Sequence, residues 1–130
     1  MFSHVTVGTR DLDAAVAFYA PLAEALGLVL KFHEADTGWA GWKHPDHDRP
    51  LFVVTAPADG QPATVGNGSM TAFLAPDRRT VDRVFALAMA GGGKAEGAPG
   101  LRPHYHENYY GAYFRDPDGN KLCVVCHVAG

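Results

Sequence analysis

The chain opens with a short alternation. Phe2, His4 and Thr6 fall on one side and Val5 and Val7 on the other, the period of a half-buried strand. Asp11 follows as a helix cap, and apolar residues then recur at helical spacing as Leu12, Val16, Tyr19, Leu22 and Leu26. The spacing predicts a helix from Asp11 through residue 26, closed by Gly27. Pro21 lies inside it, where a missing N–H predicts a kink. A second helix is predicted from Asp77, with Val81, Val84, Phe85 and Ala88 inward and Gly91-Gly92-Gly93 as its stop. Short apolar strands follow each helix, and Asp116-Pro117-Asp118-Gly119 is a strong turn signal.

The two halves resemble one another. Ser3-His4-Val5-Thr6-Val7 lies over Ser69-Met70-Thr71-Ala72-Phe73, and the same displacement pairs Asp11 with Asp77 and Gly27 with Gly93. A slightly larger displacement lays Trp39-Ala40-Gly41-Trp42 over Tyr110-Gly111-Ala112-Tyr113. It also lays Leu51-Phe52-Val53-Val54 over Leu122-Cys123-Val124-Val125. The change in displacement places a short insertion of the second half within 94–109. The coarse pattern is β-α-β-β-β, twice, in one domain over 1–130 with modules at about 1–60 and 66–130. The fold class is therefore α+β. Two such modules build a curved mixed sheet with helices on the outer face and a concave cleft, the default ligand site.

Composition narrows the partners. Eleven Lys and Arg against 14 Asp and Glu leave a net charge of −3, the wrong sign for nucleic acid or an anionic membrane as main partner. No apolar run approaches the ~20 residues of a membrane span. The N-terminus lacks the basic start and apolar stretch of a secretory signal, which makes a cytoplasmic location the expectation. Cys123 and Cys126 are three apart in a β-branched run and point to opposite faces of a strand, so neither a mutual disulfide nor a shared zinc is expected.

The opening FSHVTVGTRDLDAAVAFYAPLAEALGL and the close YYGAYFRDPDGNKLCVVCH resemble the vicinal oxygen chelate superfamily of glyoxalases, bleomycin-resistance proteins and extradiol dioxygenases. The resemblance spans nearly the whole chain, with Phe18-Tyr19 and the DPDGN turn as its most specific parts. It implies a metal site with two ligands from each half, one in the opening and one in the closing strand. Carried onto this sequence, the slots hold His4, Phe52, Met70 and Cys123, and only His4 fits the pattern. Imidazole, thioether and thiolate do not suit a hard Lewis-acid metal. The expectation is a protein that binds a small organic molecule, without the usual metal centre and with no resident cofactor. Phe52, Met70, Tyr113, Val125 and His127 line its pocket. The alternative is a lyase or dioxygenase that holds Zn, Ni, Mn or Fe through His4 and non-standard ligands.

His104 and His106 fall in the inserted segment, at the expected rim, where imidazoles serve as acids, bases or donors. His127 shares strand parity with Cys123 and faces the cleft on this reading. Cys123 is either an inert buried thiol or, beside a histidine, a nucleophile. Of Trp39 and Trp42, and of Tyr110 and Tyr113, only one each can face the cleft. The resemblance also implies a homodimer, which would protect exposed sheet edges.

Overall fold

The computed structural model describes residues 1–130. The first module runs β1 (His4–Gly8), α1 (Leu12–Ala25), β2 (Val29–Glu34), β3 (Trp39–Lys43) and β4 (Leu51–Thr55). The second repeats it as β5 (Thr71–Leu74), α2 (Arg78–Ala90), β6 (Lys94–Leu101), β7 (Tyr110–Arg115) and β8 (Lys121–Cys126). Each module forms a four-stranded mixed sheet, in the orders β1-β4-β3-β2 and β5-β8-β7-β6. The doubled pattern is thus realised, with each helix following the first strand of its module.

Both helices begin where the acidic caps place them. Asp11 Oδ1 accepts from the Ala14 amide at 3.1 Å, and Asp77 Oδ1 accepts from the Thr80 amide at 2.8 Å and its hydroxyl at 2.7 Å. Pro21 stays inside α1, which continues to Ala25. The bond lost at Pro21 is offset by burial on both sides of it, since Tyr19, Leu22 and Ala23 are all in the core. The most buried face of α1 is Ala15, Phe18, Tyr19, Leu22 and Ala23, one position around from the predicted stripe; Leu12, Val16 and Leu26 flank it half-buried.

One core joins the two modules. Phe18 and Tyr19 of α1 pack against each other, Phe18 reaches Phe114 of β7, and Tyr19 covers Trp42 and Phe52. The DPDGN turn between β7 and β8 then clasps the first module by hydrogen bonds. Tyr19 donates its hydroxyl to buried Asp116, Asn120 Nδ2 donates to the Gly8 carbonyl at 2.8 Å, and the Arg10 amide donates to Asp118 at 2.9 Å.

The register corrects one expectation. Val5 pairs with Phe52 and Phe52 with Trp42, and all three face α1; His4 pairs with Leu51 on the other face. Phe52 is therefore core, with its ring 5.0 Å from Tyr19, and does not share a surface with His4. In the second sheet Thr71, Leu122 and Phe114 form the equivalent helix-facing row, so Phe52 corresponds to Leu122 and Val53 to Cys123. The β3–β4 connection is longer than the β7–β8 turn, and a single displacement across both strands lands one residue out.

Each module also carries a cross-strand pair of an aromatic residue with glycine, with the partners exchanged. In the first, Phe32 of β2 lies over Gly41 of β3, where a Cβ would come within 2.7 Å of its ring. In the second, Tyr113 of β7 lies over Gly97 of β6, where a Cβ would come within 3.2 Å.

Candidate functional site

The helix-free face of the second sheet carries the site. Strand pairing sets Tyr113 beside Cys123, Arg115 beside Lys121 and Gly111 beside Val125, all pointing away from α2. The loop from Arg102 to Tyr109 folds back over this face, tied by the Arg102 amide donating to the Tyr109 carbonyl at 2.8 Å. Gly111 makes room for it, since a Cβ there would sit 2.9 Å from the Tyr109 ring. The segment Val65–Met70 between the modules forms the facing wall. Between them lies a cavity of about 740 Å³, bordered by Met70, Tyr105, Tyr109, Tyr113, Arg115 and Lys121.

Hydrogen bonds order the aromatic side. The Tyr109 hydroxyl is 2.8 Å from that of Tyr113 and 3.6 Å from Cys123 Sγ, and the Tyr105 and Tyr109 rings lie 4.8 Å apart. Burial, then the bonds to Tyr113 and Cys123, push the Tyr109 phenol well above its ordinary range; burial raises Tyr113 also. Burial pushes the Cys123 thiol up as well, against the partly compensating hydrogen bonds of Tyr109 and Tyr113. A buried thiol held protonated is a weak nucleophile.

The structure sorts the other candidates. Met70 and Tyr113 border the cavity, and Val125 lies beneath Tyr109 next to Gly111. His127 follows β8 and faces the ring of Tyr109 edge-on, with centroids 5.4 Å apart. His106 Nε2 is 2.8 Å from His127 Nδ1, while its own Nδ1 accepts from the Asn108 amide at 3.1 Å. Neutral His106 therefore carries its proton on Nε2 and donates to His127, fastening the loop to the chain end. His104 is exposed, with its ring centre 4.3 Å from that of Tyr105. His4 is exposed, bonds its neighbour Ser3 at 2.9 Å and does not border the cavity. Trp42 and Tyr110 face the helices, leaving Trp39 and Tyr113 on the open faces. Sequence reasoning missed Tyr105, Tyr109, Arg115 and Lys121. The aromatic density of HYHENYY is the sequence signal for the two tyrosines.

A family model for the glyoxalase/bleomycin resistance protein/dioxygenase superfamily matches residues 1–124. The chain belongs to this superfamily. The crystal structure of a glyoxalase/bleomycin resistance protein from Albidiferax ferrireducens T118 is similar at 38% identity and a TM-score of 0.85, over 98% of this chain and 99% of that one. A glyoxalase-related enzyme from Fulvimarina pelagi shares the fold at 19% identity and TM-score 0.71, over 97% and 87%. So does a lactoylglutathione lyase from Agrobacterium tumefaciens, at 22% identity and TM-score 0.63, over 97% and 92%. No curated protein matches the chain.

Metals serve many members of the glyoxalase/bleomycin resistance protein/dioxygenase superfamily, so the donor set here is decisive. With the register corrected, the four slots hold His4, Val53, Met70 and Cys123. One imidazole, one hydrocarbon, one thioether and one buried thiol do not fit a borderline or hard divalent ion. No three His, Cys, Asp or Glu side chains elsewhere are grouped to hold one.

Proposed function

We propose that this superfamily member binds a small organic molecule in the cavity between the tyrosine loop and the Val65–Met70 segment, without the four-ligand metal centre. The observation that carries this is the cavity itself. Its volume of about 740 Å³ is in the ~300–1,000 Å³ range of ligand sites, and its walls mix aromatic surface with a few fixed polar groups. The lyase or dioxygenase reading needs an ion at slots where Val53 offers no donor. We also take the working unit to be a homodimer. β1 and β5 are unpaired sheet edges, and Phe2 and Leu74 beside them are 60% and 72% exposed. Sedimentation of a monomer at micromolar concentration would refute that part alone.

The test is a saturation-transfer NMR screen of aromatic and aliphatic small molecules, repeated on Ser69→Trp. This exposed substitution puts an indole into the cavity from its linker wall. Hits that vanish in the variant support the reading. An empty screen, or hits indifferent to the indole, overturns it.

A further inference from the structure

We infer that the ligand is a planar aromatic molecule bearing one anionic group, with its ring among Tyr105, Tyr109 and Tyr113 and its charge at Lys121. The inference rests on the binding reading above and adds the chemical class. A wall of phenol rings, with Tyr105 tilted 49° to Tyr109, favours another flat ring over an aliphatic chain of equal area. The charge follows from a local imbalance. Arg115 and Lys121 border the cavity, and no Asp or Glu does. Glu96 neutralises Arg115 through a 2.8 Å ion pair. Lys121 is in no contact ion pair, Glu96 acting on it only at longer range, and its Nζ lies 5.8 Å from the centre of the Tyr113 ring. Arg102 adds a second cation 5.5 Å from the same ring, its guanidinium held by the carbonyls of Ala98 and Gly100 rather than by an acid. The chain as a whole is acidic at −3, so this basic wall runs against the average charge. Arg102, Arg115 and Lys121 thus outnumber the one carboxylate, Glu96, and in a partly enclosed site such an excess of positive charge attracts an anion and rejects a cation.

The probes are 2-naphthoate, which is anionic, and 2-naphthamide, its neutral counterpart of nearly the same shape. Each is titrated calorimetrically at neutral pH into wild type, Lys121→Gln and Tyr105→Ala. Both positions fall outside the buried core, so the fold should tolerate the substitutions. A charge-assisted contact predicts that wild type prefers 2-naphthoate by about tenfold. Added salt should erode that preference. Lys121→Gln should bring the two probes to similar affinity, and Tyr105→Ala should weaken both alike. Equal binding of the two probes to wild type, or a preference that survives Lys121→Gln, overturns the assignment of charge. Those results leave the small-molecule reading standing, provided Ser69→Trp blocks both probes. Absence of binding by either probe overturns the aromatic class itself, and the broader screen then decides whether any ligand reading survives.

Discussion

Replacing Tyr19 by Phe tests the clasp between the modules with minimal disturbance. The ring stays, with its neighbours Phe18 and Phe52 each 5.0 Å away, and only the hydroxyl that donates to Asp116 is lost. Hydrogen bonds to charged groups contribute about 1.5–3 kcal/mol. Asp116 keeps two other donors, the Asn120 amide and its Nδ2, both at 2.9 Å. The expected cost therefore sits toward the lower end, about 2 kcal/mol. For a chain of this length that lowers the melting temperature by about 6–8 °C. Urea unfolding followed by tryptophan fluorescence is well placed to measure it, because Trp42 packs directly on Tyr19. The midpoint should fall with an unchanged m-value if the modules still unfold together. A change within about 0.5 kcal/mol, the scale of ordinary surface substitutions, would show that the hydroxyl does not hold the modules together.

Stability should also fall in alkali. Burial and the Asp116 carboxylate raise the Tyr19 phenol, and Tyr109, Tyr110 and Tyr113 are raised too, whereas phenols of the unfolded chain ionise near ~10. Their contribution is complete below that pH and is lost as pH climbs through the folded values, so melting temperature should decline above ~10 and less steeply in Tyr19→Phe. Native protein should react with a thiol reagent at neutral pH far more slowly than denatured protein, because Cys123 and Cys126 are both buried; prompt native labelling of Cys123 would contradict its raised thiol. Purified protein should carry well under one equivalent of Zn, Ni, Mn or Fe by mass spectrometry. His4→Ala should change neither that content nor the melting temperature, since His4 is exposed and its side chain hydrogen-bonds only to Ser3.

Much of this architecture was legible because its signals are local. Asp11 and Asp77 cap helices through their own next turn, and the DPDG turn needs only four residues to declare itself. The repeat then supplied the topology. The register of the closing strands was harder to read, because it depends on hairpin length rather than on residue type. An offset of one residue moved the assignment from Val53 to Phe52, which is the difference between open face and core. His4 and Cys123 both lie on helix-free faces, but the cavity gathers around Cys123 and leaves His4 outside. Its walls come from the Arg102–Tyr109 loop and the Val65–Met70 linker, irregular segments whose placement follows from tertiary packing and leaves no periodic trace in the sequence.

The exchanged aromatic and glycine pairs make the duplicated chain functionally lopsided. Phe32 stands on an edge strand and leans onto Trp39, 4.9 Å away, while Tyr113 stands one strand further in and faces Cys123. The first half thus closes over its own glycine where the second half opens a chamber. The inserted loop belongs to the second half alone, and the linker occurs once. Saturation should therefore reach one ligand per chain rather than one per repeat, and it should follow a single hyperbola.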